Sequence, residues 1–324
     1  MNRTIYKSGD FLLLYAYCIP VKGKEKAAIY NLHKQNIVYV PISMIEFIDL
    51  ADTISLEDLA KQVSSPDILN EYLEFIQKEK LGFFTAYPER FPKMSQQYFS
   101  PEFITNAVIE LRSLDGYNIE HLFSLLNECL CKHIELRLNI PEISRETLAR
   151  ILRAYGSSTI RSSNILLPYS ENLDEEMLGN FFQRFKKISK LCVYSSPEEK
   201  TLPNARGVIF LRQNLSDYAV KDFPLDILTV NLRQFTESQQ FNTYFNKRVT
   251  IDHQGYIRND LRFEEHFGHI DLTKSLKSVV STAAFQRLWH LSVDQIEQIR
   301  DLPQRYAMTL SSDLRTTAET TYQI

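Results

Sequence analysis

The chain has 324 residues, of which 44% are hydrophobic and 24% charged, the balance of a globular protein with a substantial core. Its formal net charge of -3 gives no electrostatic footprint for binding nucleic acid or an anionic membrane. No apolar run approaches the ~18 residues of a membrane span, and the length predicts about two domains with room for a small third one.

The cysteine pattern predicts a reducing, cytoplasmic setting. The segment Met1–Tyr17 lacks the small-residue cleavage site of a signal peptide. Cys129 and Cys131 stand too close for an ordinary disulfide, and each is interpreted as a small buried hydrophobe or a surface thiol. No disulfide or zinc framework spacing links the four cysteines, which are Cys18, Cys129, Cys131 and Cys192.

The first forty residues predict a β-meander. Polar turns at Lys22–Lys26 and His33–Asn36 separate three short runs with strand-forming composition. These runs are Phe11–Tyr17, Ala27–Leu32 and Ile37–Val40.

Three helices are predicted next. Pro41–Leu50 carries apolar residues at helical spacing, and Ser55 with Asp58 forms a capping-box start for Leu56–Val63. Ser65-Pro66 starts a third helix that extends to about Lys80. Its apolar residues recur at helical spacing while Glu71, Glu74 and Lys78 face the other way; the apolar set is Ile68, Leu69, Tyr72, Leu73 and Ile76.

This order of three strands and three helices resembles the winged-helix module called the recognition element of ribosomally synthesised and modified peptides (RiPPs). The word CIPVKG, Cys18–Gly23, also resembles the start of grasp-with-spasm peptide maturases. The resemblance implies a domain over residues 1–92 that binds a leader peptide as an added strand. The third strand would offer unpaired backbone groups, and the third helix would form the apolar wall of the groove.

The predicted peptide-binding residues lie on that strand and that helix. Tyr39, Tyr72, Phe75 and Lys78 are the candidates for facing the peptide, and each apolar one is alternatively a core residue. A DNA-binding winged helix fits less well, because the third helix is acidic. The full predicted set is Ile37, Val38, Tyr39, Val40, Ile68, Tyr72, Phe75 and Lys78.

Residues 93–238 predict a parallel sheet. After a proline-punctuated linker at Phe91–Ser100, short apolar runs alternate with helices capped by Asn118, Ser144 and Asn172. Such alternation is typical of βαβ units, which place helices outside a parallel sheet. The six predicted strands are Ala107–Leu111, Ile134–Leu138, Asn164–Leu167, Leu191–Tyr194, Gly207–Leu211 and Ile227–Leu232.

Six such units resemble the partial (β/α)6 barrel of radical SAM enzymes. Those enzymes hold an iron–sulfur cluster on a C-x-x-x-C-x-x-C loop after the first strand. The corresponding loop here, Arg112–Ile119, contains no cysteine. We therefore expect a barrel without a cluster, without radical chemistry and without a cofactor.

Residues 239–324 contain a hairpin with Asp252 and Gly255 at its turn, then Phe267–Ile270 (FGHI) and a Trp289-bearing helix. This pattern resembles the SPASM domain of peptide maturases, in particular of the grasp-with-spasm type. In that family a C-x-x-C-E-F-R-x-x-C signature holds an iron–sulfur cluster.

Aligning Arg305 with the arginine of that signature places apolar residues where the cysteines belong. Aliphatic side chains cannot ligate iron, so the resemblance implies a SPASM-like domain that lost its cluster and filled the space. The alternative is that these are ordinary helix-face positions. The three aligned residues are Ile299, Leu302 and Met308.

The histidines and carboxylates between Asp252 and His269 are the strongest remaining candidates for chemistry. Such residues can take a zinc or iron ion, but the spacing between His266 and His269 crosses a glycine turn rather than one helix face. A solvated rim is the favoured interpretation, and a metal site at His253, His266 and His269 is the alternative. The chain contains no phosphate-binding loop, nucleophile elbow or zinc-protease helix motif.

Together the resemblances predict a non-catalytic partner in graspetide-type RiPP biosynthesis. The chain would bind the leader of a precursor peptide and present the core to an ATP-grasp ligase. The first alternative is an enzyme that acts on the precursor through a mononuclear metal or a cofactor-free site in the barrel mouth. The second is a scaffold that binds a further copy of the chain, with 17 tyrosines and 20 phenylalanines supplying contact surface.

Overall fold

The computed structural model describes residues 5–62, 66–156, 158–219, 226–311, 315–318 and 321–323. The fold is mixed α/β, as predicted. The described residues form two compact units. Unit 1 draws on Met1–Tyr98, Phe223–Thr243 and Leu291–Ile324, and unit 2 on Phe99–Asp222 and Tyr244–His290. The three-domain division at residues 92/93 and 238/239 stays a prediction.

The described residues in the first part of the chain form four short strands, then three helices and then a fifth strand. A 3₁₀ turn at Pro88–Arg90 follows them. Numbered along the chain, the elements are β1 (Phe11–Leu14), β2 (Cys18–Lys22), β3 (Ala27–Asn31), β4 (Asn36–Val40), α1 (Ile42–Ala51), α2 (Leu56–Gln62), α3 (Pro66–Lys78) and β5 (Gly82–Thr85).

The elements in the middle of the chain are β6 (Asn106–Leu111), α4 (Ile119–Glu128), β7 (His133–Leu138), α5 (Arg145–Ala154), β8 (Ser162–Pro168), α6 (Glu175–Arg184), β9 (Ile188–Tyr194), β10 (Lys200–Leu202), β11 (Ala205–Phe210) and α7 (Leu215–Ala219). Strands alternate with helices up to β9, and β10, β11 and α7 follow.

The last part consists of short elements and 3₁₀ turns. The turns lie at Ile270–Leu272, Val293–Gln295 and Arg305–Ala307. The remaining elements are α8 (Leu232–Ser238), β12 (Arg248–Ile251), β13 (Ile257–Arg258), α9 (Leu276–Val280), α10 (Ala283–Gln286), β14 (Arg315–Ala318) and β15 (Thr321–Gln323).

Unit 1 contains an antiparallel sheet in the order β2-β3-β4. The second and third predicted strands of the meander are confirmed, but the prediction of its first strand at Phe11–Tyr17 was wrong. β1 pairs with β5 instead, with Phe11 beside Thr85. The predicted run crossed a tight turn, because the Cys18 N–H donates to the Tyr15 carbonyl at 2.7 Å and separates β1 from β2.

The three helices after the sheet confirm the predicted ones. The Asp58 N–H donates to Ser55 Oγ at 3.2 Å, so Ser55 caps α2, and the Ser55 hydroxyl donates to the Asp58 carboxylate at 2.9 Å. α3 ends at Lys78, and Lys80 just beyond it has a positive φ of 56°. Val63 and Ser65, the predicted end of α2 and start of α3, lie outside the described residues.

The sheet of unit 1 has an apolar cluster on each face. Alternate side chains of a strand point to opposite faces. Ile29 and Val40 therefore pack with α1, α2 and α3, whereas Ala28 and Tyr30 pack with Phe235 of α8. The buried Tyr30 hydroxyl donates to the Pro303 carbonyl at 3.0 Å, so its burial leaves no unsatisfied donor.

Unit 2 is built on an eight-stranded sheet in the order β10-β11-β9-β8-β7-β6-β12-β13. The six central strands are parallel, and antiparallel strands flank them. The predicted caps at Asn118 and Ser144 are confirmed, since each side chain accepts a backbone N–H of the first turn. A mostly parallel sheet with intervening helices is therefore confirmed.

Three local predictions in this region were wrong. Ile227–Leu232 is not a strand, because Asn231 caps α8 by accepting the Gln234 N–H at 2.8 Å; the sixth parallel strand is β12. The cap of α6 is Asp174 rather than Asn172. Trp289 lies just after α10 and not within it.

None of the helices in the described part of the chain combines the length and the hydropathy that are needed to cross a bilayer.

α3 offers a matched test of this packing. Leu73 is fully buried in the cluster of α1–α3, whereas Ile68 on the same helix is 50% exposed. We expect Leu73→Ala to lower the free energy of unfolding by about 3 kcal/mol through lost burial and a cavity. Ile68→Ala should cost less than about 1 kcal/mol. Urea unfolding measures both, and equal losses would contradict the assigned orientation of α3.

Candidate functional site

β4 forms one edge of the sheet in unit 1, and hydrogen-bond alternation decides which of its backbone groups face outward. The Leu32 N–H donates to the Tyr17 carbonyl at 2.9 Å, so alternate residues of β3 starting from Leu32 bond toward β2. The others bond toward β4, where their partners are Asn36, Val38 and Val40. The N–H and C=O groups of Ile37 and Tyr39 therefore point away from the sheet.

α3 runs antiparallel alongside this edge. Before the start of β4, Lys34 Nζ donates to the Glu79 carbonyl, just past the end of α3, at 3.1 Å. Beyond the other end of β4, the hydroxyls of Ser43 and Tyr72 are 2.8 Å apart. The two contacts flank β4 and place the second half of α3, from Tyr72 to its end, beside the strand. We call the surface between them the β4–α3 groove, formed by Ile37–Val40 and by Ile68, Tyr72 and Phe75.

The groove has an apolar floor. Val38, Tyr72 and Phe75 are half-buried and pack on the core of α1–α3. The Tyr72 ring meets the Phe47 ring edge to face at 5.6 Å. Ile68 follows the same helical stripe as Tyr72 and Phe75 and is exposed. An extended chain laid along β4 would therefore meet hydrocarbon on its α3 side.

Not every predicted residue turns its side chain toward α3. Tyr39 lies on the opposite face of the sheet, with the Lys26 ammonium 4.4 Å from its ring centroid, and Ile37 packs on that face too. Val40 is buried in the core, and Lys78 is exposed on the last turn of α3. The structure thus brings together Val38, Tyr72 and Phe75, while Ile37 and Tyr39 contribute backbone groups.

The three residues aligned with cluster cysteines meet in one apolar core of unit 1. Ile299 and Met308 are buried, and Leu302 is half-buried against them. The Leu302 N–H donates to the Ile299 carbonyl at 2.8 Å, and the 3₁₀ turn at Arg305–Ala307 returns the chain so that Met308 reaches them. The space between these positions is filled by hydrocarbon.

Arg305, the residue that anchors the alignment, holds this loop together. Its Nε lies 2.7 Å from Asp294 Oδ1, and its Nη1 donates to the carbonyls of Lys22 and Leu302 at 3.0 and 3.1 Å. One guanidinium therefore ties together three separate stretches of unit 1.

The histidines of the predicted metal alternative have other roles in the described residues. His269 Nε2 is 2.7 Å from the Gln254 carbonyl, and its Nδ1 accepts the Asp271 N–H at 3.2 Å. His266 packs on Tyr256 with ring centroids 4.5 Å apart. Within the described ranges, no three His, Cys, Asp or Glu side chains are arranged to hold a metal ion.

The hairpin turn between β12 and β13 is built around a buried carboxylate. Asp252 accepts the N–H groups of Gln254 and Tyr256 at 3.0 and 2.9 Å and pairs with Arg258 Nε at 2.6 Å. Gly255 has a φ of +88°, and a Cβ there would fall 2.8 Å from His269 Nε2. Asp252 and Gly255 are therefore structural residues of this turn.

Sequence patterns missed the polar face of the sheet in unit 2. Strand alternation turns Ile109 and Leu136 to one face and Glu110, Glu135 and Arg137 to the other. Arg137 Nε lies 2.7 Å from Glu135 Oε1. The signal was present in the alternating word IELRL (Ile134–Leu138), which marks a strand with one apolar and one polar face.

Glu110 is the centre of a charged group at the carboxyl end of β6. Its carboxylate lies 3.0 Å from Arg112 Nε and 3.6 Å from His253 Nδ1. Burial, together with the negative charge of Glu110, raises the pKa of Tyr194 to about 12. Ligands of open α/β sheets bind at this end of the strands, so the group is a candidate for binding or proton transfer.

The four cysteines are buried, which decides between the two interpretations of Cys129 and Cys131 in favour of small buried hydrophobes. Burial raises the pKa of the Cys18 and Cys129 thiols to about 11 and that of Cys131 to about 12. A thiol must ionise to ligate iron or to react. These cysteines are therefore poor ligands and poor nucleophiles in the folded protein.

The thiols should resist alkylation until the protein unfolds. At pH 8, a thiol of pKa 11 is ionised in roughly one molecule per thousand, and access is blocked as well. We expect slow iodoacetamide labelling of all four cysteines in buffer and complete labelling in guanidinium, followed by mass spectrometry. A Ser95→Cys variant, at an exposed site, is the positive control. Fast native labelling of Cys18, Cys129 or Cys131 would contradict the assigned burial.

No protein-family model matches this chain, and no curated protein sequence is significantly similar to it. Its function has to be inferred from its own residues and their geometry.

Proposed function

We propose that this chain is a non-catalytic relative of SPASM peptide maturases. It binds the leader of a ribosomally made precursor in the β4–α3 groove and presents the core to an ATP-grasp ligase. The observation that carries the proposal is the open edge of β4 with α3 lying antiparallel beside it, because a strand edge and an apolar helix wall are what strand addition needs.

The finer fold assignment is part of the same proposal. The order β2-β3-β4-α1-α2-α3 supports a winged-helix recognition element. Six parallel strands with intervening helices support a partial barrel related to that of radical SAM enzymes. The hairpin at Asp252 and the loop around Arg305 support the SPASM-like part.

Affinity and sequence preference would have different sources in this groove. The outward N–H and C=O groups of Ile37 and Tyr39 bond to any extended backbone, so they supply affinity without regard to sequence. Val38, Tyr72 and Phe75 contact every second side chain of the added strand, and these contacts select its apolar residues.

The apolar packing at the aligned cluster positions supports a role without catalysis. Ile299, Leu302 and Met308 fill their space with hydrocarbon, and the loop of Arg112–Ile119 has no thiol. A chain of this kind binds the peptide, and the ligase catalyses bond formation with its own ATP and magnesium. The four buried cysteines, which form no disulfide, support a cytoplasmic setting for the chain and the ligase.

Charge on the exposed stripe of α3 should weaken leader binding without unfolding the protein. Ile68→Asp places a carboxylate in the groove, and Gln77→Asp places the same charge on another side of the same helix. We expect Ile68→Asp to weaken binding by at least about tenfold and Gln77→Asp to leave it nearly unchanged. The measurement is calorimetry of the purified chain with the cognate precursor peptide that the proposal requires.

A second pair of variants isolates the backbone contribution. Tyr39→Pro removes an N–H that β3 does not use, whereas Tyr39→Thr keeps the N–H and removes only the ring. Binding should be lost in the first and kept in the second. The leader half of the peptide alone should bind as the whole does. Binding by the core half alone, or no binding by the whole precursor, would refute the proposal. The lack of a ligase gene beside the gene of this chain would refute it too.

The charged group at Glu110 favours a second candidate function, an enzyme that acts on the precursor at a cofactor-free site. Glu110 and His253 lie 3.6 Å apart at the carboxyl end of the sheet, so one can accept a proton while the other donates one. Hydrolysis of a peptide bond is a reaction that such a pair supports, with water as the second substrate.

Peptide mass distinguishes the two functions. Under the non-catalytic proposal, incubation of the precursor with the chain alone leaves its mass unchanged. Cleavage that disappears in Glu110→Gln and persists in Glu120→Gln, an exposed residue of α4, would instead establish the enzyme. Mass spectrometry of the peptide before and after incubation is the measurement.

A further inference from the structure

Unit 1 contains a cavity of about 950 Å³ that is separate from the β4–α3 groove. This volume is within the range of ligand sites, roughly 300–1,000 Å³. β2 forms one wall along its whole length, and the last turn of α1 and the irregular segment Phe91–Gln96 form others. We call it the β2 cavity.

Two groups of aromatic rings line the β2 cavity. Tyr15 stacks on Tyr17 with ring centroids 5.4 Å apart, and it also lies 5.4 Å from Phe83. Phe235 and Tyr306, with centroids 5.4 Å apart, form the second group. Such a lining favours a flat apolar group by edge and face contacts.

The charged residues of the lining already have partners. Lys22 pairs with Asp49 at 3.1 Å, Lys93 pairs with Asp52 at 2.5 Å, and Arg305 pairs with Asp294. A charged ligand would have to compete with these pairs for the same side chains. The lining therefore suits an uncharged ligand.

The edge of β2 presents backbone groups to the cavity. The hydrogen-bond alternation described for β4 also applies to β2. The backbone groups of Ile19 and Val21 bond to β3, and those of Cys18, Pro20 and Lys22 point outward. The Lys22 carbonyl confirms this direction by accepting Arg305 Nη1 at 3.0 Å. Pro20 has no N–H, so this edge offers mainly acceptors, the carbonyls of Cys18 and Pro20. Such acceptors match the N–H groups of an extended peptide.

We propose that the β2 cavity is a second peptide-binding site, which takes an uncharged extended segment and encloses its aromatic side chain among the aromatic rings of the lining. The segment donates its backbone N–H groups to the outward carbonyls of β2. This site does not depend on leader binding, because it uses the opposite edge of the sheet.

The probe is the capped tripeptide acetyl-Val-Phe-Val-amide, followed by saturation-transfer NMR and calorimetry on the full chain. We expect acetyl-Val-Asp-Val-amide to bind at least about tenfold more weakly, because the lining of the β2 cavity suits an uncharged side chain. N-methylation of the phenylalanine nitrogen should weaken binding similarly, since a backbone donor is lost. Equal binding of the Phe and Asp peptides, or no binding of the Phe peptide, overturns the proposal.

Matched variants locate the bound probe. Phe91 and Phe99 are exposed phenylalanines of the same irregular region, and only Phe91 lines the cavity. Phe91→Ala should weaken the probe several-fold, and Phe99→Ala should not. Ile68→Asp should leave the probe bound; loss there would put the probe in the β4–α3 groove and overturn the proposal. If toluene binds as tightly as the peptide and N-methylation has no effect, the site takes a lone aromatic molecule and the peptide assignment is wrong.

Discussion

The requirement that backbone N–H and C=O groups find partners governs what unit 1 can bind. Three strands pair through β3 alone, so each outer strand has every second residue turned outward. The two edges differ. At the β4 edge, both the N–H and the C=O groups of Ile37 and Tyr39 point outward, whereas Pro20 has no N–H to offer at the β2 edge. A single sheet therefore presents two chemically different edges, each beside its own apolar wall.

Unit 2 satisfies the same requirement in another way. Its six parallel strands are paired on both sides, and the edge strands β10 and β13 have only three and two residues, so the sheet offers only short backbone edges. Chemistry there depends on side chains, and strand alternation collects the charged ones on a single face near Glu110 and Arg137. The two units thus expose different groups: unit 1 exposes backbone edges of a sheet, and unit 2 exposes charged side chains on a sheet face.

Local signals in the sequence predicted the elements that depend on local physics. Ser55, Asn118 and Ser144 cap their helices as expected, because a cap involves residues only three positions apart. The pairing of Phe11 with Thr85 joins residues far apart in the chain, and short-range patterns do not show it. The predicted meander therefore included β1 instead of β2. The apolar residues of Ile227–Leu232 are typical of a strand. Asn231 within this run is a helix cap, and the strand prediction gave it too little weight.

Sequence patterns predicted the two elements that form the β4–α3 groove, but not the direction in which their side chains point. Composition indicated the strand and the helix of the β4–α3 groove, but only the register shows that the side chains of Tyr39 and Val38 lie on opposite faces. The charged group at Glu110 was missed because its members come from β6 and from the hairpin after β12, more than a hundred residues apart in the chain.

The turn between β3 and β4 is closed at Gln35, whose φ is +57°. Its length determines which residues of β4 face outward. Inserting one residue there would exchange the two sets, so that Val38 would present its backbone and Tyr39 would enter the core. A change of one residue in the length of this turn would therefore reverse which side chains of β4 enter the core, whereas a change of two residues would keep each side chain on its present face.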